Sequence, residues 1–219
     1  MPAADAHPPA HDAAATWAAE RDLLLRGLNH ALSNRVGTIA AVASVLEPGG
    51  TLRPHVVQVL HDETERLERL LALYRLLPAE PEGSAEPLHV PDVVPAILEL
   101  HAEHPDLRDV PCVVEATGVE VPARAAPVAL GHALLLALSA AKRAAGADGR
   151  VRLALTASEG TVRVRAHPEP ARDERDPVDR AVEAALHADA AARLLAAAGG
   201  SAHAYRDGGV ELRLRAWGA

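Results

Sequence analysis

Phenylalanine is absent from these 219 residues, and tryptophan and tyrosine occur only twice each. A core built from this chain must be aliphatic, and aromatic platforms for stacking nucleic-acid bases are not expected. Cysteine occurs once, at Cys112, which excludes an intrachain disulfide and any thiolate-rich metal site. Basic residues are outnumbered, 22 Lys and Arg against 30 Asp and Glu, for a net charge of −8. A binder of phosphate backbones is disfavoured by that balance. Long hydrophobic runs are also lacking. The longest, residues 128–141, is interrupted by Gly131, His132 and Ser139 and stops at Lys142-Arg143, short of the ~20 residues that span a bilayer. The opening stretch is rich in Ala, Pro and His with no apolar centre, so it does not read as a secretory signal. The expectation is a soluble, cytoplasmic protein with no nucleic-acid partner and no membrane contact.

What the chain does have is alanine, leucine and valine, within a 49% apolar composition that can fill the cores of one or two domains. Residues 1–11 are expected to be disordered. Asp12 is placed to cap a helix running to about Leu46. Glu47-Pro48-Gly49-Gly50-Thr51 breaks it. A second helix is expected over 53–77, with Val56, Val59, Leu60, Leu67, Leu70, Leu71 and Tyr74 at helical spacing. Glu63, Glu65, Arg66, Glu68 and Arg69 cover its other side. Residues 12–77 would then form an antiparallel helical hairpin. Two helices cannot enclose a core. Pairing with a second copy in a four-helix bundle would hide both stripes, so a homodimer is expected.

His30 is the best candidate for chemistry. It lies in Leu28-Asn29-His30-Ala31-Leu32-Ser33-Asn34, inside the first helix. Residues i and i+4 share a helix face, so His30 and Asn34 stand together. Arg26 and Gly27 lie one turn before, Ser33 and Gly37 one turn after. All are small or polar. Leu28, Leu32, Ile39, Val42 and Leu46 fall on another face and read as a buried stripe. His30 is therefore expected to be exposed where a partner protein can approach closely. The plain alternative is a solvated surface histidine, one of 12 in the chain.

Residues 78–87, Pro-Ala-Glu-Pro-Glu-Gly-Ser-Ala-Glu-Pro, read as a linker. Residues 88–219 then follow a different pattern. Pro91 opens a helix to about His104. A loose strand is expected at 110–117 and an apolar helix at 127–145. Strands at 151–157 and 161–167 flank Glu159-Gly160. A charged loop covers 168–177, and a helix in one or two pieces covers 178–198 before Gly199-Gly200. Segments 201–206 and 210–217 flank Asp207-Gly208-Gly209 as a second hairpin. The fold class is α+β: a helical hairpin followed by a mixed sheet with helices on one face.

This order of parts resembles a bacterial histidine kinase core. Leu28-Asn29-His30 with Asn34 is similar to an H-box of the form Leu-Asn-His-x-x-x-Asn. Thr64-Glu65-Arg66-Leu67-Glu68-Arg69-Leu70-Leu71 looks like the second helix of the dimerisation and phosphotransfer domain. Residues 88–219 resemble the Bergerat-type ATP-binding domain, most clearly where Ala191-Ala192-Arg193-Leu194-Leu195 leads to Gly199-Gly200 and two strands. The resemblance implies His30 as phosphoacceptor and Asn34 as an orienting group.

The departures from the family pattern point away from nucleotide. Ser139 stands where the family has an Asn that holds magnesium. His167-Pro168-Glu169-Pro170 stands where an Asp-x-Gly-x-Gly box reads adenine, and Ala185 and His187 stand where phosphate-loop glycines belong. A phosphoacceptor hairpin beside a degenerate ATPase-like domain resembles the histidine phosphotransferases derived from kinases, of ChpT-like and sporulation type. These relay a phosphoryl group between response-regulator receiver domains. The implied chain binds no cofactor and no metal, because the receiver supplies Mg²⁺. Imidazole of ordinary pKa, ~6.5, is largely neutral near pH 7 and is a ready nucleophile. Arg26, Gly27, Ser33 and Gly37 would meet the receiver. Ala31 follows the histidine where many such proteins carry an acid. Two rivals stay open: a divergent ATP-dependent histidine kinase, and an adaptor that binds a regulator without phosphorylation.

Three further features have duller readings. His61-Asp62-Glu63 reads as a solvated ion-pair face rather than a second phosphoacceptor. His101 and His104, at i and i+3, have metal-ligand spacing but no clear third ligand. Asp173-Glu174-Arg175-Asp176 reads as a solvated loop.

Overall fold

The computed structural model describes residues 10–44, 53–80, 83–170 and 176–219. Helix α1 spans Ala10–Ser44 and helix α2 spans Pro54–Tyr74. Proline at the start of α2 suits its first turn, where no intrahelical N–H bond is lost. The expected helical hairpin is present, and α1 begins two residues before Asp12. The breaker at Glu47–Thr51 and the stripe residue Leu46 lie outside the described residues.

The segment expected as a linker ends in strand β1 (Glu86–Leu88), which pairs antiparallel with β3 (Ala123–Ala125), an element without a visible sequence signal. Between them run α3 (Val90–His101) and β2 (Cys112–Thr117). Helix α3 stops at His101, so His104 lies in the following turn rather than on the helix. Helix α4 (Pro127–Ala145), strands β4 (Arg150–Ser158) and β5 (Thr161–Glu169), and helix α5 (Pro177–Leu195) follow. A short 3₁₀ turn, Ala196–Ala198, then leads to strands β6 (Ser201–Ala204) and β7 (Val210–Arg215).

The main sheet has the order β2-β4-β5-β7-β6, with β2 and β4 parallel and the rest antiparallel. Glu159 and Gly160 both take positive φ, 47° and 74°, as a two-residue hairpin turn requires. Gly199 takes φ 73° and closes the helical segment before β6. Asp176, at the edge of the expected charged loop, caps α5: its Oδ1 accepts from the Val178 N–H at 2.8 Å. The rest of that charge run lies outside the described residues. The fold is α+β with an N-terminal helix pair and a mixed five-stranded sheet.

Alanine and leucine let the layers pack closely without any phenylalanine. Leu130, Leu134, Leu135, Leu136 and Leu138 of α4 have no exposed surface, nor do Val151, Leu155, Val162 and Leu212 of the sheet. Helix α4 is the one described helix long and apolar enough to cross a bilayer, and 89% of that window is buried here as a core helix. The same buried cluster takes in Ala13, Trp17, Leu24 and Leu28 of α1 and Leu70, Leu73 and Leu77 at the end of the hairpin. The proximal half of the hairpin is therefore covered by its own chain. The distal half is not: Val36 is 55% exposed, Val57 47% and Val59 39%.

Candidate functional site

His30 is exposed on α1, as its spacing requires, and Asn34 one turn on is exposed beside it. The Asn34 amide Nδ2 lies 3.2 Å from His30 Nε2. In that arrangement the amide donates to the ring nitrogen. The open side is made by Ser33, which is exposed, and by Gly37, where an added Cβ meets nothing within 4 Å.

Gly27 departs from expectation. Its spacing places it in the open patch, yet it is buried, and a Cβ there would overlap the backbone carbonyl of Glu103. The turn after α3 packs directly onto this position, so glycine serves contact within the chain. Arg26 is exposed, as expected. Arg35 is half-buried and pairs with Glu63 of α2 at 3.3 Å. Glu63, read as part of a solvated face, is in fact buried and also binds Arg66. Its neighbour His61 is solvated and pairs with Glu65 at 3.2 Å. Tyr74 donates its hydroxyl to Asn29 Oδ1, tying α2 to α1 just before His30.

One wall of a groove of about 700 Å³ carries His30, Ala31 and Asn34. Arg26, Arg35, Arg66, Arg69 and Arg108 line it, with Glu99 and Glu103. Arg69 and Arg108 come from α2 and from the turn after α3. Nothing in the sequence places them beside His30, because that neighbourhood exists only once α3 has docked on α1.

A second polar centre forms around Glu20. Glu20 of α1 is 2% exposed and sits among α3, α4 and α5. Ser139 donates its hydroxyl to Glu20 Oε1. Arg143 Nη2 donates to Oε2 at 2.7 Å. His104 Nε2 lies 3.2 Å from Oε1, a close electrostatic contact rather than a well-aligned hydrogen bond. Its Nδ1 accepts from the Asp106 N–H at 3.1 Å, so the proton resides on Nε2, facing the carboxylate. His187 Nε2 stands 4.0 Å from Oε2, and its Nδ1–H donates to the Glu183 carbonyl at 2.9 Å. His101 Nε2 donates to the Ser139 hydroxyl at 3.0 Å. A signal was present: Ala13, Trp17, Glu20, Leu24 and Leu28 follow one helical stripe, and a charge on a buried stripe needs partners.

Burial pushes the Glu20 carboxyl up, but His104, His187, Arg143 and Ser139 outweigh it and hold the pKa well below the usual carboxylate range. Burial lowers His101 to about 3, reinforced by Lys142 and His104. Burial likewise lowers His132 to about 4. His132 stacks on Trp17 with ring centroids 3.9 Å apart, and its Nε2 donates to the Leu76 carbonyl at 2.8 Å. Both histidines are neutral in the fold and would be charged in the unfolded chain below pH ~6.5. Depressed folded-state pKa values mean that the unfolded state binds more protons, so stability is lost as pH falls. Urea unfolding should show full stability above pH ~7 and a slope approaching about 2.7 kcal/mol per pH unit between pH ~4 and ~6. A flat profile across that window would show that these rings are solvated.

The positions at which the resemblance expects nucleotide contacts are occupied by internal contacts. Ser139 is fully buried against Glu20 and His101. His167 and Pro168 lie within β5 rather than in a loop, and His167 Nδ1 is 3.1 Å from Asp207. Ala185 and His187 lie inside α5, with no glycine-rich loop before them. His101 and His104 stack with centroids 5.4 Å apart, and no group of three metal-ligating side chains forms among the described residues.

No family model and no curated protein matches the chain in sequence. Solved structures do resemble it in shape. The Acinetobacter baumannii histidine kinase AdeS aligns with TM-score 0.46 and 14% identity over 88% of this chain and 97% of its own. The catalytic domain of the histidine kinase ThkA aligns with TM-score 0.48 and 13% identity over 61% of this chain and 95% of its own. A bacterial phosphotransferase aligns with TM-score 0.42 and 14% identity over 95% of this chain and 98% of its own. At these identities and TM-scores the alignments assign no role to this chain.

Proposed function

We propose that this chain is a histidine phosphotransferase that relays a phosphoryl group between response-regulator receiver domains through His30, within two-component signalling. One observation carries the reading. The imidazole of His30 stands exposed on an open helix face with Asn34 beside it, while Ser139 and His187 are consumed by contacts to Glu20 of the chain's own first helix. Phosphoryl transfer needs mainly positioning and charge neutralisation, which a receiver with bound Mg²⁺ supplies. A ring-nitrogen lone pair attacks the phosphorus of the receiver's aspartyl phosphate. The N–P bond forms, the P–O bond breaks, and the aspartate carboxylate leaves with the electron pair. The ring N–H proton passes to water. Asn34 must release Nε2 if that nitrogen is the nucleophile. No cofactor is required of this chain.

Incubation with a phosphorylated cognate receiver should label the protein in an acid-labile, base-stable form, and His30→Ala should abolish the label. Calorimetry with Mg-ATP at millimolar concentration should give no binding heat. Label that persists in His30→Ala and vanishes in His61→Ala would reassign the site. Micromolar ATP affinity would promote the kinase reading, and a wild type that no receiver labels would promote the adaptor reading.

The working unit is a homodimer through the distal hairpin. Val36, Val57 and Val59 are exposed there, on the two facing helices of the hairpin. Light scattering should give twice the 22.9 kDa chain mass. Val57→Glu with Val59→Glu should return it to the monomer value. A monomeric wild type at tens of micromolar, roughly above ordinary interface dissociation constants, would remove the dimer.

A further inference from the structure

The groove beside His30 is basic on an acidic protein. The chain carries −8, yet five arginines and only two carboxylates line this groove. Two of the five are already engaged, because Arg35 and Arg66 share the single carboxylate of Glu63. The other three come from separate elements: Arg26 from α1, Arg69 from α2 and Arg108 from the turn after α3. Arg69 gives its Nε–H to the Glu65 carbonyl at 3.4 Å, which leaves its charge uncompensated. Arg108 lies 3.7 Å from Asp109, with 56% and 92% of the two side chains exposed, where solvent screens the pair. Arg26 forms no ion pair among the described residues, and neither Glu99 nor Glu103 closes onto any of the three.

Three arginines lining one groove suit a compact multivalent anion, because each guanidinium fork can donate two hydrogen bonds to adjacent oxygens. We propose that Arg26, Arg69 and Arg108 form a phosphate-binding site whose occupant is the phosphoryl group carried by His30. The proposal rests on the phosphoacceptor reading and gives the groove its ligand class, a phosphate dianion. By neutralising the dianion, the arginines stabilise phosphohistidine against loss to water and hold its oxygens clear of the line of transfer.

Two probes separate the site from the acceptor. The first is inorganic phosphate, titrated by calorimetry at low ionic strength. Wild type and His30→Ala should bind it alike, weakly and less so as salt rises. Arg69→Gln with Arg108→Gln should weaken binding about tenfold, the loss expected for charged hydrogen bonds. The second probe is phosphoramidate, which loads histidine chemically: the ring nitrogen bonds phosphorus, the P–N bond breaks, and ammonia departs with the proton. The phosphoryl group on wild type should then hydrolyse several-fold more slowly than on the double variant. Both substituted residues are exposed, and matching thermal unfolding confirms that the fold is intact. Unchanged phosphate binding together with unchanged hydrolysis in the double variant would overturn the site. Phosphate binding that depends on the arginines, without phosphoramidate labelling of His30, would uphold the anion site with free phosphate as its ligand and remove only the acceptor reading.

Discussion

Glu20→Ala should cost this fold about 3–5 kcal/mol, the range for removing one partner of a buried ionic network. The size follows from what stays behind. Arg143 loses its 2.7 Å carboxylate contact, and Ser139 and His104 lose the acceptor they face in a fully enclosed site. Each orphaned donor carries its own desolvation penalty. Arg143 recovers part of the loss, since it is 25% exposed and also reaches Glu183 at 3.4 Å. The remaining groups have no such outlet. Against a typical stability of about 5–15 kcal/mol, this change is large enough to unfold part of the population. Glu20→Gln should fall between the two, because the amide keeps an acceptor for Ser139 while its NH₂ opposes the donors of Arg143 and His104. Urea unfolding at pH 7 reads all three proteins. A loss below about 1 kcal/mol in Glu20→Ala would mean that water already enters the cluster.

Gly27→Ala and Gly37→Ala should move stability in opposite directions, although both replace a glycine in the same helix. In an exposed helix, alanine is favoured over glycine by about 1 kcal/mol. At Gly37 nothing stands within 4 Å of the new Cβ, so that gain is realised. At Gly27 the Cβ would overlap the carbonyl of Glu103, which belongs to backbone and cannot rotate away as a side chain would. The turn after α3 must lift, at an overpacking cost of about 1–3 kcal/mol, and the larger Gly27→Val should exceed it. Lifting that turn also carries Arg108 away from the groove beside His30. Thermal unfolding decides the sign: equal shifts at the two positions would mean that the α3 turn does not rest on α1.

The helical hairpin, the apolar helix 127–145 and the two β-hairpins were legible in the sequence, because each is set by local periodicity and turn chemistry. Residues 127–145 read as one helix and form one, since 19 residues at helical spacing leave no competing pattern. Gly160 and Gly208 marked the two hairpin turns, since both take a positive φ that few other residues tolerate. The exposure of His30 and its pairing with Asn34 followed from i, i+4 geometry alone. The short strand pair β1–β3 did not follow, because three residues carry too little periodicity to be seen.

What only the tertiary structure decided is which helix faces meet. Glu20 lies on a buried stripe by sequence, but its partners do not show there: the turn after α3, α4 and α5 each bring it a donor from 84 to 167 residues away. Gly27 looks like an open patch until the α3 turn lies on it. Arg69 and Arg108 are solvated surface charges in one dimension and neighbours of His30 in three. Local propensity fixes the direction of a side chain on its own helix; the residue it meets depends on long-range packing, whose free energy is summed over the whole aliphatic core.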